Sequence, residues 1–123
     1  MIKEYFKKLF FEKSGANSGE DMAAVFLKKQ GHRIIEKNYR EKCGEIDIIS
    51  LDGKVLVFTE VKQRKTEKYG RPEEFVTKTK RDRLRKTAQI FIMKKRFEGV
   101  SRFDIIEVLG ENKPEIRHIK NAF

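Results

Sequence analysis

GEIDIISLDGKVLVFTEVKQR, residues Gly44–Arg64, holds two apolar, β-branched runs separated by Asp52-Gly53. An Asp-Gly step between strand-forming residues is among the strongest short-range hairpin signals, and it predicts a two-residue type I′ loop. That loop would pair Leu51 with Lys54, Ile49 with Leu56, Asp47 with Phe58 and Glu45 with Glu60. Side chains alternate along a strand, so Glu45, Asp47, Glu60 and Lys62 are expected on one face. Asp47 and Glu60 become diagonal neighbours there, roughly 7–8 Å apart or somewhat less. Ile46, Ile48, Val55, Val57 and Val61 fall on the opposite face, while Ile49, Leu56 and Phe58 make the first face partly apolar. Strands apolar on both faces belong in the middle of a sheet covered by helices on either side.

The rest of the chain supplies those helices. Ser18–Gln30 has a capping residue at Ser18, with Asp21 three positions on, an apolar side at Met22, Ala23, Val25, Phe26 and Leu27, and a stop at Gly31. A long helix is expected from near Pro72 to about Arg96, with Val76, Leu84, Ala88 and Phe91 inward and Phe75 and Ile92 flanking. Strands are expected at Arg33–Tyr39, Arg102–Leu109 and, as a short edge, Glu115–Lys120, with a polar turn at Arg40–Cys43. Ile2, Tyr5, Phe6, Leu9 and Phe10 are spaced by three and four, which reads as a short amphipathic helix over residues 2–12. The expected organisation is a helical extension at 1–16 followed by one domain over 17–123. Its fold class is α/β, a mixed central sheet flanked by helices.

Composition narrows the partner. The 123 residues carry a formal net charge of +10, and such an excess favours a polyanion. Eleven Lys and Arg stand against four Asp and Glu between Lys62 and Lys86, so the positive charge is concentrated beside the strand carboxylates. No apolar run reaches the length needed to span a bilayer, so stable membrane association is not expected. The single cysteine, Cys43, excludes an intramolecular disulfide and a cysteine-built metal site, and fits a reducing, cytoplasmic setting. His32 and His118 lie in different elements without ligand spacing, and Glu36 and Glu41 read as solvent-facing charges.

Carboxylates in apolar strands are costly to bury unless paired or metal-bound. Asp47 and Glu60 on one face can converge on a divalent ion, and magnesium or manganese takes one or two carboxylates plus substrate phosphate. Acidic ligands inside a basic surround suit a phosphodiester: the metal needs the acids and the polyanion needs the bases. Lys62 could orient an attacking water or neutralise developing charge. Lys78, Lys80, Arg81, Arg83, Arg85 and Lys86, with Arg64, are the expected phosphate contacts, on DNA in preference to RNA. Lys80 falls within the apolar stripe of its helix, so it either snorkels to solvent or points into a polar site. Glu20, in a first helical turn, is by itself a dipole-complementing acid.

These residues also resemble a known family. Gly19-Glu20, Gly44-Glu45-Ile46-Asp47-Ile48-Ile49, Phe58-Thr59-Glu60-Val61-Lys62-Gln63-Arg64, Gly70-Arg71-Pro72 and Arg102-Phe103-Asp104 resemble the YraN family of bacterial endonuclease-like proteins, within the PD-(D/E)XK nuclease superfamily. The likeness covers roughly residues 17–109. It implies a restriction-endonuclease-like αβββαβ core and Mg²⁺-dependent endonuclease activity. Asp47, Glu60 and Glu20 would be metal ligands and Lys62 the catalytic lysine, with Gln63, Glu45 and Lys80 in support. A branched or four-way junction substrate would call for a homodimer that cuts symmetrically. The competing reading is a non-catalytic nucleic-acid-binding or assembly module that keeps the fold.

Overall fold

A computed structural model of the chain describes residues 4–8, 18–66, 76–110 and 113–123. The strands among them are β1 (Glu4–Lys8), β2 (Arg33–Glu41), β3 (Gly44–Asp52), β4 (Val55–Arg64), β5 (Ser101–Leu109) and β6 (Glu115–Lys120). They form one mixed sheet in the order β1-β6-β5-β4-β3-β2, in which β4 and β5 run parallel and every other neighbouring pair antiparallel. A parallel pair needs a long crossover, and helix α2 (Lys78–Lys95) lies in the one between β4 and β5. Helix α1 (Gly19–Lys29) precedes β2. The αβββαβ core expected from the sequence is therefore present.

Two apolar layers explain why the central strands are apolar on both faces. Met22, Phe26 and Leu27 of α1 pack on Ile48, Ile106, Val108 and Ile116. Leu84, Ala88 and Phe91 of α2 pack on Ile49, Leu56, Phe58, Ile105 and Ile119. The neighbours Ile48 and Ile49 serve opposite layers, as do Ile105 and Ile106, which is strand alternation expressed as packing. α1 begins where its sequence says: Ser18 Oγ accepts a hydrogen bond from Asp21 N at 3.1 Å, and Glu20 and Asp21 occupy the first turn. Lys37 Nζ reaches Asp21 Oδ1 at 2.6 Å and ties the helix to β2.

Several expectations are corrected. Glu4–Lys8 is a strand and not part of a helix: it pairs antiparallel with β6, from Glu4 opposite Lys120 to Lys8 opposite Ile116. Short apolar runs do not separate helix from strand by spacing, and pairing satisfies the open backbone edge of β6. β6 is thus an inner strand. α2 starts at Lys78, capped by Thr77, whose side chain accepts from Lys80 N; Pro72 and Phe75 lie outside the described residues.

The hairpin register also differs. The loop is Gly53-Lys54, closed by Asp52 opposite Val55, with Ile49 opposite Phe58 and Ile48 opposite Thr59. Gly53 has φ +60°, and positive φ at the first central position alone marks a type II′ turn rather than type I′. Asp52 stays in the strand because its carboxylate is engaged, with Arg102 Nη2 donating to Oδ2 at 3.0 Å. A shift of two residues leaves the faces of the residues in the paired ladder, Ile48–Asp52 and Val55–Thr59, as expected. Its effect is to bring Asp47 level with Glu60 instead of diagonal to it. The alternation breaks just there: Ile46 joins the α2 layer while Ile48 joins the α1 layer, beside Asn38 of β2 at φ +53°.

Candidate active site

The ordered ladder between β3 and β4 ends at Ile48 opposite Thr59. One residue further, the Asp47 side chain takes over, its Oδ2 accepting from Val61 N at 2.8 Å. The two strands part here, and the space between them and the first turns of both helices is a pocket of about 540 Å³. Glu20 reaches it from α1, Asp47 from β3, Glu60 from β4, and Thr77, Lys80 and Arg83 from α2. The sequence-predicted residues Asp47, Glu60 and Glu20 are thus brought together.

Their charges work against one another. Burial, followed by a hydrogen bond and charge repulsion from Glu60 and the further charge of Glu20, pushes the Asp47 carboxyl up to about 8; the Val61 N–H opposes this without cancelling it. Glu60 is buried and its Oε2 lies 2.5 Å from Lys80 Nζ. Lys80 therefore points into the polar site. Burial disfavours its ammonium, but Glu60 outweighs this and holds its pKa above the ordinary lysine value. Lys62 is half-buried beside Lys80, and burial together with that neighbouring charge pulls its pKa down. A depressed lysine close to a raised carboxyl is a pairing of perturbed groups of the kind that acid–base chemistry uses.

Among the described residues, no group of three or more His, Cys, Asp and Glu forms a ready-made metal cluster. The donor set is the Asp47–Glu60 pair with Glu20 lining the same pocket. These are hard oxygen donors in small number, the arrangement that Mg²⁺ or Mn²⁺ takes when water and substrate complete its shell.

The remaining candidates are spread. Glu45 lines the pocket but is exposed and pairs with Arg40 Nε at 3.4 Å. Gln63 lies over α1's start, where a Cβ on Gly19 would come within 2.8 Å of its Oε1. Arg83 and Lys86 face an open groove next to the pocket. Lys78 and Arg85 lie 3.3 and 3.8 Å from Asp82, and Arg85 also sits 5.6 Å over the Phe123 ring. Arg81 is half-buried. Arg64 is turned away from the pocket into an ion pair with fully buried Glu107.

Sequence reasoning missed a second polar cluster. His118 Nε2 lies 2.7 Å from Asp104 Oδ2, Arg102 Nε donates to Asp104 Oδ1 at 3.0 Å, and Asn121 N donates to the same oxygen at 3.2 Å. His32 Nδ1 is 2.9 Å from Ser50 Oγ, and the two imidazole centroids are 6.1 Å apart. The signal was present: Asp104 interrupts an apolar strand just as Asp47 does.

Comparison with known proteins identifies relatives of the chain. A family model described as "Uncharacterised protein family UPF0102" matches residues 19–108, which include every residue of the pocket. A UPF0102 protein of Caldicellulosiruptor saccharolyticus is 44% identical over 111 residues, covering 87% of this chain and 94% of the relative. One from Geotalea daltonii is 45% identical over 108 residues, 85% of each. One from Alkaliphilus metalliredigens is 42% identical over 112 residues, covering 90% of this chain and 98% of the relative.

Proposed function

The chain belongs to the UPF0102 family, and from that membership and the pocket we propose that it is a metal-dependent nuclease that hydrolyses phosphodiester bonds in DNA. One observation carries the reading: two carboxylates on neighbouring strands, Asp47 and Glu60, converge in one pocket, where burial and then the neighbouring Glu60 push the Asp47 carboxyl up to about 8. A divalent cation held by the two carboxylates would offset their repulsion. Asp47 and Glu60 would hold Mg²⁺ or Mn²⁺, with Glu20 as a third oxygen donor. Bound there, the ion supplies polarisation of the scissile phosphate and acidification of the attacking water.

The chain's own residues do the rest. Lys62, with its depressed pKa, holds the attacking water or neutralises charge as the phosphate becomes five-coordinate. Lys80 exchanges its contact with Glu60 for a phosphate oxygen. Both helices start at the pocket, and their N-terminal dipoles favour the anionic substrate.

The test is cleavage of duplex, flap, single-stranded and four-way DNA in Mn²⁺ by wild type, Asp47→Ala and Lys62→Ala. Wild type is expected to cut at least one substrate. Each variant should lose roughly 10²–10³-fold or more, the scale of removing one transition-state charge partner. A wild type that binds DNA with steep salt dependence and cuts nothing sinks the enzyme reading in favour of a binding or assembly module.

A further inference from the structure

A second, more open cavity of about 790 Å³ adjoins the pocket, and the two share Gly44, Glu45 and Arg83 in their walls. One wall is the β2–β3 turn, with Arg40, Lys42 and Cys43; the other is the exposed side of α2, with Arg83 and Lys86. α2 comes this close because Gly44 has no side chain: a Cβ there would lie 2.9 Å from Thr87 Oγ1. The two carboxylates of the groove are already engaged. Glu41 accepts from Tyr39 Oη and, at 2.8 Å, from Lys94 Nζ; Glu45 pairs with Arg40. Among the described residues no carboxylate pairs with Lys42, Arg83 or Lys86. Lys42, Arg83 and Lys86 thus face an open groove with no carboxylate partner among the described residues.

We infer that this groove is a second subsite, in which the β2–β3 turn and α2 grip the phosphodiester backbone of the strand leaving the carboxylate pocket. The identity of the ligand rests on the nuclease reading above; the location rests on the groove itself. Lys80, Arg83 and Lys86 follow one another at intervals of three along α2. At 1.5 Å per residue Lys80 and Lys86 are about 9 Å apart along the axis. That matches two to three nucleotides at about 3.4 Å per phosphate along one strand. The turn supplies Lys42, a contact that the basic stretch after Lys62 would never suggest.

Two measurements on the full chain test it. The first is binding of a short fluorescein-labelled DNA oligonucleotide in EDTA over a salt series. Combining Lys42→Ala, Arg83→Ala and Lys86→Ala should flatten the slope of log K against log salt by roughly two to three, since each lost phosphate contact removes about 0.7–0.9. The same charge loss at the far end of the sheet, Lys28→Ala with Arg33→Ala and Lys54→Ala, should change it by less than about one. In the second, alkylation of wild-type Cys43 by iodoacetamide should slow severalfold when the oligonucleotide is saturating. Equal slopes for the two triple variants, or an alkylation rate indifferent to DNA, would overturn the subsite. Cleavage by wild type is scored separately. A protein that cuts but shows equal slopes loses the groove and keeps the nuclease reading. One that binds through the groove and cuts nothing does the reverse.

Discussion

Asp-Ile-Ile occurs twice in this chain, at Asp47-Ile48-Ile49 in β3 and at Asp104-Ile105-Ile106 in β5. In both the isoleucines pack into opposite apolar layers, and the aspartates meet opposite fates. Asp104 is fully buried and surrounded by donors from His118, Arg102 and the Asn121 N–H. Burial alone would raise its pKa, but those partners outweigh it and hold the carboxyl below its ordinary value. Asp47 has one N–H donor and two acidic neighbours, and its pKa rises to about 8. The same tripeptide is a finished structural device in one strand and an unfinished one in the next. What finishes Asp104 is protein; under the proposed nuclease reading, a divalent cation would finish Asp47.

The comparison breaks most sharply by substitution. Asp104→Asn weakens the buried acceptor shared by His118, Arg102 and the Asn121 N–H and leaves Arg102 with Asp52 alone, a loss expected to cost about 1.5–3 kcal/mol of stability. Asp47→Asn keeps an acceptor for Val61 N–H and removes the repulsion with Glu60, so it should leave stability unchanged or raise it. Urea denaturation of both variants near neutral pH reads the difference directly. Equal losses would mean that Asp47 is as structural as Asp104, and would remove the reason for placing a cation beside it.

The next effect tests the cation. A ligand that binds only the folded chain stabilises it by about 2.7 kcal/mol at a hundred times its dissociation constant. Mn²⁺ or Mg²⁺ should therefore raise the melting temperature of wild type, and Asp47→Ala or Glu60→Ala should abolish the rise. A shift that persists in both variants would place the metal elsewhere.

Much of this contrast was legible in the sequence. The hairpin, both helices and the shared face of Asp47, Glu60 and Lys62 follow from alternation and capping, which are local. The site survived a register error because that error was even: Asp52 remained in the strand, held by Arg102 from fifty residues away, and a two-residue slip conserves faces. What could not be read depended on long-range partners. His32 and His118 have no spacing that announces a pair, because the α1–β2 connection and β6 bring them together only in the fold. Glu4–Lys8 took its conformation from the open edge of β6 rather than from its own pattern. The groove wall at Lys42 likewise belongs to a turn whose charges look solvated until α2 is laid beside it.

Protons should distinguish the two regions with a smaller amplitude. Burial holds the His32 pKa below its ordinary 6.5, so on acidification the unfolded chain takes up that proton first. Stability is then lost as pH falls through about 6.5, and again below about 3.8 as Asp104 is approached. Asp47 acts with the opposite sign: its raised pKa stabilises the folded state at low pH, and this is lost as pH rises toward about 8. In Asp47→Asn only the first trend remains, so the urea midpoint should fall steadily from about pH 7 to about pH 5. A flat profile in that variant would show that the imidazole cluster is not the pH-sensitive half.

The smallest effect links the cap of α1 to the pocket. Ser18 holds the first turn by accepting from Asp21 N, and Glu20 enters the pocket from that same turn. Ser18→Ala should cost about 1 kcal/mol, the ordinary value of an N-cap, with the buried Asp104 cluster undisturbed. If Glu20 serves the cation, fraying this turn should also weaken Mn²⁺ binding beyond what the stability loss predicts, and Glu20→Gln should do so without any loss of stability. A Ser18→Ala protein that is less stable but binds Mn²⁺ as wild type does would leave the metal to Asp47 and Glu60 alone. Glu20 would then be an acid whose only role is to complement the helix dipole.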